Sequence, residues 1–91
     1  MTFKELRAAL LREHMAIYTP FDKLPADGWQ VIVWPSEFHP QGWSLRITHP
    51  HRIINAVVAG SFERVGFAVQ WSDNDGRMEA WPKGGAVTHE R

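Results

Sequence analysis

Residues 65–82 alternate between large apolar side chains and small or polar ones, and turn-forming residues interrupt the alternation at 73–76. A period of two is typical of a β-strand with one buried face, and an Asp/Asn/Gly cluster between two such strands indicates a hairpin. Phe67, Val69 and Trp71 then share one face of the first strand. This hairpin constrains the fold more than any other feature, because it requires a sheet with a distinct inner and outer face.

The length of the hairpin loop decides the register but leaves the outer face unchanged. A two-residue loop places Trp71 opposite Ala80, and a loop over 73–76 places it opposite Met78. Both registers put Trp81 on the face opposite to Trp71. A tryptophan on the outer face needs a cover, which is either another part of the chain or a binding partner.

Two further strands are predicted, at residues 29–34 and 43–48, both rich in β-forming residues. Pro35 ends the first of them, and a proline-marked connection over 35–42 leads to the second. Their alternation directs one set of side chains toward a core, namely Trp29, Val31, Val33, Trp43, Leu45 and Ile47. The opposite set, with Ile32, Trp34 and Arg46, points outward.

A helix is predicted at the N-terminus, over about residues 3–17. Thr2 and Glu5 have the spacing of a capping box, and Thr19-Pro20 ends the segment because the residue before proline avoids helical geometry. Residues 50–60 also favour a helix, since neither strand parity separates their apolar from their polar side chains. Gly60 and several β-branched residues oppose that assignment, and the alternative is a strand in this region.

These elements predict an α+β fold in the order α-β-β-α-β-β. We expect a two-layer sandwich, in which a four-stranded, mainly antiparallel sheet carries both helices on one face. If the second helix is instead a strand, the fold becomes a five-stranded sheet or small barrel with one N-terminal helix. Residues 1–82 are expected to form a single domain, and residues 83–91 a flexible tail.

Composition excludes several classes of protein. The chain has 91 residues, of which 44% are hydrophobic and 22% charged, as in an ordinary globular domain. Ten basic residues balance ten acidic ones, so no overall field attracts nucleic acid or an anionic membrane. The absence of cysteine excludes disulfides and thiolate chemistry. We find neither a signal peptide nor an apolar membrane span, and we expect a cytoplasmic protein.

The outer face of the sheet is the candidate binding surface. Ile32, Trp34 and Trp81 are its expected apolar anchors and Arg46 its polar contact, because tryptophan and arginine dominate interface hot spots. A polar rim is expected from His49, His51 and Arg52. The competing interpretation is that the loop over 35–42 folds across the tryptophans, through Phe38 or its prolines, and makes a second small core.

The first hypothesis is therefore a non-enzymatic protein-binding regulator, of the kind represented by small inhibitors and immunity proteins of bacteria or phage. A second is a nucleic-acid-binding module that uses the same aromatic residues with Arg46, Arg52, His49 and His51. A third is a structural protein that self-associates, as a homodimer for instance, through the same face.

Signs of other chemistry are weak. His39, His49 and His51 could supply three nitrogen ligands to zinc or nickel, but no carboxylate stands close in sequence to His49-Pro50-His51. The acidic residues at 73–76 lack the spacing of a calcium-binding loop, so turn formation explains them. No serine lies in a nucleophile motif and no glycine-rich stretch fits a phosphate. We expect neither an enzyme nor a metal or other cofactor.

Overall fold

Residues 1–72 and 75–84, which the computed structural model describes, form two helices and five strands. In chain order these are α1 (Phe3–Arg12), β1 (Ile17–Tyr18), β2 (Val31–Pro35), β3 (Trp43–Ile47), α2 (Arg52–Arg64), β4 (Phe67–Trp71) and β5 (Arg77–Pro82). The strands form one sheet in the order β1-β2-β3-β5-β4. The β1–β2 pair is parallel and the other three pairs are antiparallel, so the sheet is mixed, and it is open rather than closed into a barrel.

Helix α1 begins at the predicted capping box but ends earlier than expected. The Thr2 hydroxyl accepts a bond from the Glu5 N–H at 3.1 Å, and the Glu5 carboxylate accepts one from the Thr2 N–H at 2.7 Å. Hydrogen bonds to the Glu5 carboxylate, first from the Thr2 backbone N–H and then from the Thr2 side chain, lower the pKa of Glu5. The helix ends at Arg12 rather than near residue 17, because His14 adopts a left-handed φ of 62° and turns the chain toward the sheet.

The turn after α1 produces a strand that the sequence analysis did not predict. Ile17 and Tyr18 pair in parallel with Val31 and Ile32 at the edge of the sheet. Its spacing placed Ile17 in the last turn of the predicted helix, but the residue is fully buried as part of this short strand. The predicted four-stranded sheet is therefore wrong, and the five strands of the alternative are right. The second helix, which that alternative lacked, is nevertheless present.

Helix α2 confirms the helical interpretation of residues 50–60 and continues to Arg64. His51 caps it, since its Nδ1 accepts a bond from the Ile53 N–H at 3.2 Å. The helix continues through Gly60 because Val58 and Phe62 are buried on one side of it, and tertiary packing of this kind outweighs weak helix propensity.

The β4–β5 hairpin adopts the register that was predicted for the longer loop. Trp71 lies opposite Met78, and Trp81 lies opposite Ala68 on the other face, as the alternation predicted. The predicted turn at 73–76 falls partly on residues 73 and 74, which lie outside the described residues. Gly76 has a φ of +67°, and a Cβ at this position would come within 2.7 Å of the Pro50 Cβ, so the turn requires glycine here.

Both helices cover the same face of the sheet, and one hydrophobic core joins them to it. The core includes Leu6, Leu10, Ile17, Val31, Val33, Trp43, Leu45, Ile47, Val58, Phe62, Phe67, Met78 and Ala80. Val69 and Trp71 pack at its margin. Trp29 does not belong to it: this residue precedes β2 and is 37% exposed, which corrects the expectation that it points inward.

Gln30, next to Trp29, is a buried polar residue. Its side-chain amide donates to the carbonyl oxygens of Pro25, Asp27 and Gly28, at 3.2, 2.8 and 3.2 Å. A buried amide with these partners fixes the loop that precedes β2.

The expected tail over 83–91 falls, apart from Lys83 and Gly84, outside the described residues.

Candidate functional site: a groove on the outer face of the sheet

The outer face is the side of the sheet turned away from the helices. Strand register arranges its side chains in rows across β2, β3 and β5. One row consists of Ile32, Arg46 and Arg77, and the next consists of Trp34, Ser44 and Glu79. Trp81 lies beyond the second row, so Trp34 and Trp81 are not neighbours, and serine and glutamate side chains separate them.

Next to Trp34 lies a groove with a volume of about 900 Å³, here called the edge groove. It follows the side of β2 that β1 leaves uncovered, since β1 pairs only with the first residues of β2. Three of the four predicted partner-binding residues line it, namely Ile32, Trp34 and Arg46. The structure thus brings these three into one concave surface, and it leaves Trp81 out.

Phe21 forms a rim of the edge groove that the sequence analysis missed. Its side chain is 95% exposed. A tight turn holds it there, because the Thr19 N–H donates to the Asp22 carboxylate at 2.8 Å and the Phe21 N–H donates to the Thr19 hydroxyl at 3.2 Å. The signal that could have revealed it was an aromatic residue directly after a proline in a predicted loop, where nothing required a large apolar side chain.

Trp43 lines the same groove from the core side, where its ring meets Phe3 edge to face at 6.4 Å between centroids. The residue is 6% exposed, and its indole Nε1–H has no hydrogen-bond partner among the described residues. Buried polar groups are nearly always paired, so an unpaired donor on the lining of a groove is unusual.

The other end of the outer face is covered by the loop between β2 and β3. His39 from this loop stacks on Trp81, with 4.3 Å between ring centroids and 23° between planes. The alternative interpretation had predicted a loop cover through Phe38 or the prolines. The loop does cover Trp81, but through His39, while Phe38 is 74% exposed.

A carboxylate holds that loop in place. Ser36 Oγ donates to one oxygen of Glu79 at 2.7 Å, and Ser44 Oγ donates to the other at 2.5 Å. Ser36 Oγ in turn accepts the N–H groups of Phe38 and His39, at 3.0 and 3.1 Å. These contacts connect Glu79 on β5 through Ser36 to the His39 ring that lies on Trp81. This set of contacts is here called the clasp over Trp81.

Arg46 and Arg77 lie directly opposite each other on β3 and β5. Like charges in this arrangement repel each other. The only ion pair found between described residues joins Glu13 and Arg64, so neither outer arginine has an acidic partner among those residues. Glu79, the acid in the neighbouring row, is bound by two serines. Sequence alternation could have placed Arg77 on the outer face, but not opposite Arg46.

The predicted polar rim lies elsewhere. His51 and Arg52 belong to the cap and first turn of α2, in the layer on the opposite side of the sheet, and His49 lies in the connection before it. None of the three lines the edge groove. Within residues 1–72 and 75–84, no group of three or more histidine or acidic residues is placed to hold a metal ion.

Comparison with known proteins adds no family. No protein-family model matches the chain. No curated protein matches it either, and no solved structure does. In the part of the chain that the structure describes, neither helix is long and apolar enough to cross a membrane.

Proposed function

We propose that this chain is a non-enzymatic binding protein whose edge groove holds an apolar, acidic segment of a protein partner. The observation that carries the proposal is the groove itself, in which a half-buried Trp34 and an almost fully exposed Phe21 face the same concave surface. The free energy falls when a partner removes exposed aromatic side chains from water, and tryptophan is prominent among binding hot spots.

The two outer arginines define the polar part of the expected partner. Arg46 lines the groove, and Arg77 on β5 lies directly opposite Arg46. A carboxylate placed between them would relieve their mutual repulsion and could accept a bidentate bond from a guanidinium group. We therefore expect the bound segment to carry an aspartate or glutamate beside its apolar anchor.

Binding by side-chain insertion fits this groove better than strand addition. Pro35 ends β2 and Pro20 follows β1, and neither residue has an N–H to offer a new strand. Prolines of this kind protect sheet edges from pairing. The partner's side chains, rather than its backbone, would supply most of the contact.

Nucleic acid is the second candidate, because an arginine pair beside exposed aromatic rings can bind phosphates and stack bases. The balanced net charge and the apolar groove lining favour protein. A single-stranded oligonucleotide provides the test: affinity for nucleic acid, which contacts several phosphates, falls steeply with added salt, whereas binding of an apolar segment with one carboxylate falls much less.

A display library of random linear peptides, selected on the purified protein, tests the main proposal. We expect enriched peptides that combine apolar and acidic residues. Trp34→Ala should weaken their binding by about 30-fold, as expected for a hot-spot residue of about 2 kcal/mol. Trp81→Ala is the matched control, and it should change binding by less than about threefold. Equal losses for the two variants, or no enrichment, would contradict the proposal.

The proposed biological setting rests on the kind of protein alone, a small binding protein with one groove. A short chain that binds through one groove suits an inhibitor or immunity-type regulator of bacterial or phage origin, acting in the cytoplasm. Isolation of such a complex from cells, with its loss on Trp34→Ala, would test this part.

A further inference from the structure

Strand β4 forms the second edge of the sheet, and its outer side is unpaired among the described residues. The Lys83 N–H donates to the Gly66 carbonyl oxygen at 2.8 Å, and this bond sets the hydrogen-bonding parity of the hairpin. Ala68 and Gln70 then bond to β5. Phe67, Val69 and Trp71 consequently direct their N–H and C=O groups away from the sheet.

This edge lacks the features that protect the β2 side. The segment Phe-Ala-Val-Gln-Trp contains no charged residue and no proline. Natural proteins usually protect open edges with lysine, proline or a bulge, because an unprotected edge pairs with another strand. The sequence of β4 therefore permits pairing along its whole length.

We propose that β4 pairs antiparallel with β4 of a second copy of this chain, about a two-fold axis at Val69. The register is self-complementary: Phe67 lies opposite Trp71 of the partner subunit, and Ala68 lies opposite Gln70 of the partner subunit. Aromatic pairs across strands are stabilising, and no like charges meet. The self-association predicted from the sequence is thereby moved from the outer face to this edge.

Helix α2 fits the same axis. It runs antiparallel to β4, since the Asn55 side chain donates to the Ser72 carbonyl oxygen at 2.9 Å and Phe62 meets Phe67 with 5.9 Å between ring centroids. Its Arg64 flank faces α1 through the bond to Glu13. The opposite flank, which looks past β4, carries the exposed residues Arg52, Ala56 and Glu63 at helical spacing, while Ala59 on the same side is buried in the core.

The two-fold axis sets this flank against its own copy in the reverse direction. The small, exposed side chain of Ala56 allows close approach near its centre. The Arg52 end of one helix then lies beside the Glu63 end of the other, and both residues are exposed and have no ion-pair partner among the described residues. Charge complementarity at both ends of the contact thus favours a second copy as the occupant.

Sedimentation velocity of the 91-residue chain over a wide dilution series tests the dimer. The variant Ala68→Lys/Gln70→Lys sets two lysines opposite each other on each side of the axis and should weaken dimerisation at least about tenfold. The variant Ala68→Glu/Gln70→Lys carries a charge at the same two positions but sets opposite charges together, and it should dimerise about as well as the wild type. Circular dichroism verifies that both variants are folded.

An engineered cysteine gives an independent measurement. Val69→Cys introduces the only thiol in the chain and, at a hydrogen-bonded pair, sets the two Cα atoms about 5.5 Å apart, within disulfide range. Mild oxidation should cross-link this variant but not Ala8→Cys on the exposed side of α1. A monomer at every concentration, or a dimer that both double variants retain equally, would overturn the proposal. The edge groove lies at the opposite edge of the sheet, so this result is independent of peptide binding.

Discussion

Each end of the outer face carries one tryptophan, and the two tryptophans differ in what covers them. At one end, His39 stacks on Trp81, and the loop that carries His39 is held by Ser36 and Glu79. At the other end, β1 is too short to cover β2, and Trp34 lies in an open groove. The same residue type on the same face is therefore stacked beneath a loop at one end and lines an open groove at the other. The neighbouring loops, rather than the strands, make the difference.

Alanine replacements of Trp43, Trp81 and Trp34 should lower the free energy of unfolding by three different amounts, because the three side chains differ in their surroundings. Trp43→Ala should cost about 3–5 kcal/mol, because the ring is buried and its removal leaves a cavity. Trp81→Ala should cost about 2 kcal/mol through loss of the stacked contact, and Trp34→Ala only about 1 kcal/mol, since its ring stays partly in water. Urea unfolding measures all three. If Trp34→Ala proved as costly as Trp81→Ala, the two ends would not differ.

Ser36→Ala tests the clasp over Trp81. Loss of this hydroxyl removes one bond to Glu79 and two from the turn, and we expect a loss of about 1–2 kcal/mol. Amide hydrogen exchange at Phe38 and His39 should accelerate, because both N–H groups lose their acceptor. Ser44→Ala is the matched control: it also removes a bond to Glu79 but leaves the turn intact. Equal acceleration in both variants would show that the clasp does not hold the loop.

Phe21→Ala should produce the smallest change in stability, within about 0.5 kcal/mol, because the side chain is exposed and supports no packing. It should nevertheless weaken binding of groove-selected peptides. Phe38→Ala removes a similarly exposed ring from the closed end and should leave peptide binding unchanged. Unchanged binding in the Phe21 variant would restrict the binding surface to Trp34 and Arg46.

Hydrophobic periodicity predicted most of the fold, and it did so where local pattern and tertiary packing agree. The capping box at Thr2 and the opposite faces of Trp71 and Trp81 are direct consequences of local geometry. The strand at Ile17 was missed because two residues carry no readable period, and because Ile17 also fits a helical spacing. Trp29 was placed inward by strand parity, but β2 begins only at Val31.

The candidate site could be predicted in part. Ile32, Trp34 and Arg46 were recognised because alternation alone assigns them to the outer face. Phe21 and Arg77 were not, since their contribution depends on a loop conformation and on the pairing of β3 with β5. That pairing joins strands separated by helix α2 in the sequence, and no local pattern encodes it.

By itself, the sequence determined which face of the sheet is occupied by the four strand tryptophans, Trp34, Trp43, Trp71 and Trp81, because side-chain direction along a strand is fixed by a period of two. Only the tertiary structure decided which of the outward tryptophans is covered. That outcome depends on where the loop with Ser36 and His39 lands and on where β1 stops. Both are set by long-range contacts, which the local alternation of side chains does not specify.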